Sequence, residues 1–307
     1  MQTIVITGGT GLVGKALSNM LLQKGYRIIV LTRDITGKQP KENLSYALWD
    51  VKKAYIDVTA VKDADYIVHL AGAGVVDKKW TDTYKREIRE SRTKSSRLLI
   101  YWLKNNNNKV KAVISTSAIG YYGPDNNPGM PFTETDKADD SFLGETCRLW
   151  EESIDPVTKL DKRLVKLRTG IVLSNDGGAL AEFKKPVRFG IAAILGSGKQ
   201  MISWIHINDL CRLFTTAIEN DAINGTYNAV APQPVTNKNL TLASAKRMNG
   251  KFYIPFYVPA FIIKLLLGQR SIEVLKSTTV SCKKIIDTGF QFDYDSIDNA
   301  LDDLVKK

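Results

Sequence analysis

Three cysteines and two histidines are all that this 307-residue chain offers of the commonest soft metal ligands. Cys147, Cys211 and Cys282 are far apart, odd in number and without C-x-x-C spacing. Neither a disulfide framework nor a zinc-thiolate site is expected, and the thiols read as reduced, in a cytoplasmic protein. His69 and His206 alone do not make a histidine-rich centre, so no metal is expected. No apolar run approaches the ~20 residues that a membrane-spanning helix needs. The most apolar late stretch, Phe261 to Gly268, is far too short, and a strand and glycine turn that begin at Thr3 leave no space for a cleaved leader. The net charge of +11 is spread along the chain, with its densest excess in Lys78 to Arg97, eight Lys or Arg against three Asp or Glu. Without interleaved aromatics or a nucleic-acid motif, that run reads as a solvated helix face. The surplus suits a small anionic ligand.

What is present begins at the first residues. Thr3-Ile4-Val5-Ile6 is a short apolar run, Thr7 to Gly14 is a glycine-rich turn, and Ile28-Ile29-Val30-Leu31 is a second apolar run. Between them Val13, Ala16, Leu17, Met20 and Leu21 recur at steps of three and four, which predicts an amphipathic helix on a sheet. Gly8, Gly11 and Gly14 are spaced so that the backbone turns sharply, approaches a pyrophosphate without a Cβ in the way, and packs helix close to strand. The helix N-terminus then offers free N–H groups to the anion. A tight βα turn without a ligand is the plainer alternative, and the triplet's place directly after a buried strand argues against it. Thr7, Gly8, Gly11, Leu12, Val13 and Gly14 are the expected cofactor contacts.

The second strand ends in Leu31-Thr32-Arg33-Asp34. An acidic residue at this place reads the ribose hydroxyls of NAD, and an Arg accommodates the 2′-phosphate of NADP. Arg33, with Thr32 beside it, favours NADP(H), while Asp34 leaves room for NAD(H).

Further along, Tyr46 to Trp49 predicts a short strand, and Tyr66 to Gly72 a buried strand running into small residues. Leu70, Ala71 and Gly72 would let a cofactor lie across that strand's end. Trp80 to Leu103 reads as a long helix. Ala112 to Ser117 is the next strand, with Ser115 beside the cofactor and Ser117 placed to bind a substrate oxygen. Arg163 to Arg168 is a further strand, and the alternation of strands and helices implies an α/β, doubly wound parallel sheet. Beyond Thr169 the pattern loosens. Residues 1–170 are expected to form the dinucleotide-binding domain, with elements around 200–230 returning to it, and 171–200 with 231–307 a smaller C-terminal substrate lobe. Asn208 or Asp209 is the expected N-cap of a helix carrying Leu213, Phe214, Ala217 and Ile218. Gln200 and Trp204, with Lys199, are expected on the substrate-pocket rim, and Cys147 in the pocket. His206, bracketed by apolar neighbours, is a core residue or a proton carrier.

Taken together these motifs resemble the extended short-chain dehydrogenase/reductase superfamily. Thr7, Gly8, Gly11 and Gly14 match its T-G-x-x-G-x-x-G pattern. The narrower resemblance is to the atypical, YfcH-type branch of the NAD-dependent epimerase/dehydratase-like family. It rests on His69 to Gly72, Ser117 to Gly123, Arg168 to Leu173, Ser203 to His206, Tyr227 to Pro232 and a late Gly289-Phe290-Gln291-Phe292, and runs along nearly the whole chain. It implies a Rossmann-like NAD(P) domain with a C-terminal substrate lobe, and a homodimer through helices near residues 80–103 and 142–154. One departure is plain. The family's Y-x-x-x-K, a proton-transferring Tyr with a Lys four residues on, falls at Leu143 to Cys147, where neither end can do that work.

Three readings follow. An NADP(H)-dependent oxidoreductase or epimerase-like enzyme would draw its acid or base from Tyr121 or Tyr122, with Ser117 orienting the substrate and Glu145 or Cys147 assisting. A non-catalytic redox-sensing or regulatory protein would keep the cofactor site without the relay. A scaffold would use the lobe for a partner and the nucleotide only as a folding ligand.

Overall fold

The computed structural model describes residues 1–126 and 129–305. Its first part runs β1 (Thr3–Thr7), α1 (Leu12–Gln23), β2 (Arg27–Thr32), β3 (Leu44–Asp50) and the short β4 (Tyr55–Ile56). Then come α2 (Val58–Val61), β5 (Tyr66–His69), α3 (Asp82–Asn105), β6 (Ala112–Ala118), α4 (Phe142–Ile154) and β7 (Arg163–Thr169). β1 and β5 are buried at every position because helices cover both faces, which is why they read as unbroken apolar runs.

Among the described residues the main sheet has eight strands in the order β13-β7-β6-β5-β1-β2-β3-β4, where β13 is Gly225–Ala229. All its pairings are parallel except β3 with β4. From β1 the chain builds outward to β2 and β3, then returns to lay β5 on the other side. The crevice at that reversal is where doubly wound sheets bind ligands.

One face of the sheet is covered by α1 and by α6 (Ile207–Glu219): Leu17, Leu21, Leu210 and Phe214 pack with Ile4, Ile6 and Ile28. On the other face, Leu98, Leu99 and Trp102 of α3 pack with Val5, Ile29 and Val113. The helix predicted from Trp80 starts two residues later, because the Thr81 hydroxyl accepts the Tyr84 N–H and fixes the boundary.

The remaining elements lie outside that sheet, most of them in a second lobe. They are β8 (Ile171–Ser174), β9 (Gly177–Gly178), α5 (Ala179–Val187), β10 (Ile191–Leu195), β11 (Met201–Ile202) and β12 (Trp204–His206), then β14 (Val235–Thr236), α7 (Asn237–Asn249), β15 (Ile254–Val258), α8 (Ala260–Leu267), α9 (Ser271–Leu275), α10 (Lys283–Ile286) and α11 (Ile297–Leu304). Leu173, Leu180, Trp204, Leu240 and Leu301 make its core.

The expected N-cap of α6 is corrected. His206, not Asn208 or Asp209, caps the helix, its Nδ1 accepting the Asn208 N–H at 3.1 Å. Asp209 instead lies fully buried, accepting the N–H groups of Asp293 and Tyr294 at 3.0 and 2.9 Å. It pins the segment before α11 onto α6. No helix among the described residues is long and apolar enough to cross a membrane.

Candidate cofactor and active site

The glycine turn is built as an anion cradle. Gly8 has φ +71°, a left-handed conformation, and a Cβ there would lie 2.8 Å from the Leu70 carbonyl carbon. At Gly14 a Cβ would meet the Gly8 oxygen and the Gly9 Cα, so only glycine lets α1 start this close to the turn. Gly11 is the N-cap and no side chain caps the helix, which leaves the N–H groups of Leu12 and Val13 for a ligand. The Leu12 side chain packs the other way, against Gly178.

Thr7 departs from the expectation of a cofactor contact. It is fully buried, and its hydroxyl accepts the N–H groups of Leu70 and Ala71 at 3.1 and 3.2 Å. Its own proton therefore goes to His69 Nδ1 at 2.8 Å. His69 Nε2 in turn carries the ring's one proton, within 3.2 Å of Ser96 Oγ, which donates to the Arg92 carbonyl at 3.0 Å. Burial pushes the His69 pKa down to about 3, so the ring is neutral. This chain of bonds ties β1, β5 and α3 together and fixes the backbone of Leu70, Ala71 and Gly72 at the crevice, with Gly72 exposed. Ser115 is also removed from the cofactor: it is 1% exposed, and its hydroxyl points back to the Thr116 carbonyl.

At the end of β2 the two candidate readers part company. Arg33 is exposed, and among the described residues its side chain makes no ion pair or hydrogen bond. Asp34 is committed to its own loop, its carboxylate accepting the Thr36 N–H at 2.8 Å, and that bond holds its pKa below the usual range. The Thr32 hydroxyl donates to the Asp34 carbonyl at 3.0 Å, so it shapes the loop around Arg33.

The expected catalytic hydroxyls fare unequally. Ser117 is buried and donates to Glu151 Oε1 at 2.7 Å. Tyr122 is fully buried and stacked on Phe132; its hydroxyl donates to Asn228 and accepts from Arg168, both at 2.8 Å. Burial pushes its pKa up to about 12. Both belong to one internal network centred on Arg168 and Glu151, which form a two-bonded pair at 2.8 and 3.0 Å. Burial disfavours the guanidinium's charge, yet the Glu151 carboxylate more than offsets this and holds Arg168 above its ordinary range. Neither Ser117 nor Tyr122 therefore faces a substrate. Tyr121 differs: it is half-buried, with its ring centroid 3.5 Å from the Arg168 guanidinium carbon.

Next to Tyr121, a Cβ on Gly120 would lie 3.5 Å from Leu143 and 3.8 Å from the Cys147 sulfur. The helix window that lacks the Tyr and Lys thus presents an apolar wall to bare backbone. Cys147 is buried and its thiol is pushed up to about 12 by burial, which leaves it protonated and unsuited to assist. Glu145 is paired with Arg89 at 2.9 Å, joining α3 to α4.

Of the three lobe residues expected on the pocket rim, Lys199 is exposed and the other two are internal. Trp204 is fully buried, its indole N–H donating to the Gln233 carbonyl. Gln200 is 5% exposed and bridges the carbonyls of Leu195 and Val274. A lobe side chain that does reach the loop after β5, Arg270 bonded to the Val76 carbonyl, was not singled out by sequence, since no motif surrounds it. His206 is also internal: fully buried, stacked on Tyr294 and 3.3 Å from Asp303.

A glycine cradle at the reversal of a doubly wound sheet, under a second lobe, defines the extended dinucleotide-binding class of dehydrogenases and epimerases. Residues 4–142 match the model of the NAD dependent epimerase/dehydratase family, and residues 258–304 match a domain of unknown function, DUF1731. An epimerase family protein of Staphylococcus aureus is 36% identical over all of both chains, and one of Staphylococcus saprophyticus is 36% identical over 99% of this chain and all of the relative. The chain belongs to this epimerase family. Among solved structures, the human epimerase family protein SDR39U1 (isoform 2) with NADPH superposes with a TM-score of 0.85 at 25% identity, covering 99% of each chain. A nucleoside-diphosphate sugar epimerase from Corynebacterium glutamicum gives 0.77 at 30% identity, covering 99% of this chain and 58% of that one.

Proposed function

We propose that the protein is an NADP(H)-binding enzyme of oxidoreductase or epimerase-like type, acting on a carbonyl or hydroxyl substrate. The carrying observation is Arg33: an uncommitted guanidinium at the end of β2, next to an Asp34 whose carboxylate is already taken. NADPH in the human relative supports the same preference. Leu12, Val13 and the glycine turn would hold the pyrophosphate, and Leu70 to Gly72 would floor the nicotinamide half. The cofactor would supply or accept hydride. Tyr121, half-exposed beside a fixed cation, would be the proton donor or acceptor.

The test is binding of NADPH and NADH to the wild-type protein and to Arg33→Ala. Wild type is expected to prefer NADPH, and loss of the charge-assisted phosphate contacts should cost roughly ten- to hundred-fold in NADPH affinity with little change for NADH. Equal affinity for both cofactors in the wild type would overturn the NADP reading.

A second reading has its own support. With Ser117 and Tyr122 committed to a buried network and Leu143 and Cys147 apolar, a cofactor-binding regulatory protein without turnover also fits. NADPH consumption against a panel of carbonyl substrates separates the two. The buried thiols accord with a reducing, cytoplasmic setting.

A further inference from the structure

Arg92 lies in the basic run that sequence reading assigned to a solvated face, yet its guanidinium turns inward. Its Cζ would be 3.1 Å from a Cβ at Gly72, so the absence of a side chain there is what admits it beside the end of β5. Nη1 donates to the carbonyls of Ala73 and Ile88 at 3.0 and 2.9 Å. The guanidinium carbon also sits 4.9 Å from the Trp150 ring of α4. Its charge acts on the Cys147 thiol, on the same helix. Arg92 thus bridges the loop after β5 and the helix window where the Lys is missing.

Two facts make it more than a brace. No carboxylate pairs with it among the described residues, although burial disfavours its charge. Nε and Nη2 also bond to nothing among those residues, which leaves three donor hydrogens. The backbone on which it rests is held rigidly, because Ser96 and Ser95 donate to the Arg92 carbonyl and join it to His69 and Thr7. A fixed cation with spare donors, at the carboxyl ends of β5 and β6, is a counter-ion site awaiting an anion or a diol.

We propose that Arg92 is the positioning residue for the nicotinamide half of the dinucleotide, donating to its ribose hydroxyls and neighbouring phosphate from the place where the relay Lys is absent. This rests on the NADP(H) reading above. The ribose and phosphate of the adenosine half lie on the other side of the reversal, at β1 and β2, so Arg92 and Arg33 would read opposite ends of one ligand.

The experiment measures binding of NADPH and of 2′,5′-ADP, which lacks the nicotinamide half, to wild type, Arg92→Met and Arg92→Lys. The emission of bound NADPH provides a second readout specific to the nicotinamide. Arg92→Met is expected to weaken NADPH roughly ten- to hundred-fold while 2′,5′-ADP binds unchanged. Arg92→Lys should recover part of that loss and part of the emission change. Unchanged NADPH affinity and emission in Arg92→Met, or an equal loss for 2′,5′-ADP, would overturn the proposal and leave the NADP(H) reading standing. Failure of the wild type to bind NADPH would overturn both.

Discussion

Glu151→Gln should destabilise the protein by about 3 to 5 kcal/mol, because it leaves a buried guanidinium without its counter-charge. Arg168 is 4% exposed and Glu151 6%, so water does not make good the loss. The carboxylate also takes the Ser117 hydroxyl and lies 3.8 Å from Lys166, so three donors on β6 and β7 lose their common negative charge, and an NH2 group replaces one of its two acceptor oxygens. The pair should matter far less when removed whole. Arg168→Met with Glu151→Leu takes away both charges and fills the space with apolar atoms, a replacement that is often close to neutral. Chemical denaturation of the wild type, Arg168→Met, Glu151→Leu and the double variant measures the coupling. Two single losses that simply add in the double variant would show that the pair is not the centre of the network.

That network explains which parts of the site were legible in the sequence. Gly8, Gly11, Gly14 and Arg33 could be read because their roles are local. A turn geometry, a helix start and a strand end are set by residues within a few positions of one another. The alternation of buried runs with 3.6-period helices likewise announced the sheet, since burial on both faces forces continuous apolar strands. Ser117 and Tyr122 looked the same as catalytic hydroxyls because their partners are distant: Glu151 is 34 positions away from one and Asn228 is 106 from the other. Thr7 was misread for the same reason, its hydroxyl being taken by a backbone 63 positions on. Arg92 was hidden in a charge run most of whose other members face solvent. What turns it inward is the missing side chain of Gly72, twenty positions earlier, which no periodicity reports. The lobe was the least legible, since Gln200 and Trp204 are bonded to backbone carbonyls, among them Val274 and Gln233, that lie 74 and 29 positions away.

His69 gives a second large effect, this one in pH. The ring is neutral in the folded protein down to about pH 3, whereas in the unfolded chain it takes up a proton below its ordinary value of 6.5. Between those values the unfolded state binds more protons, so stability rises with pH there and is lost as pH falls below about 6.5. The slope approaches about 1.4 kcal/mol per pH unit, and from pH 7 to pH 5 the loss from this one ring is about 2 kcal/mol. His206 is lowered as well, by burial against the opposing pull of Asp303 and Asp209, and adds in the same direction. The comparison that isolates His69 is with His69→Asn, which retains a polar side chain between Thr7 and Ser96 but does not titrate. The variant should be less stable at pH 7, where its fit to those two hydroxyls is poorer, and should lose about 2 kcal/mol less than the wild type on going to pH 5. His206 and the carboxylates titrate in both proteins and cancel. If urea midpoints of the two proteins fall in parallel, the ring is protonated without unfolding, and the dry Thr7–His69–Ser96 tie between β1, β5 and α3 is not what holds the crevice together.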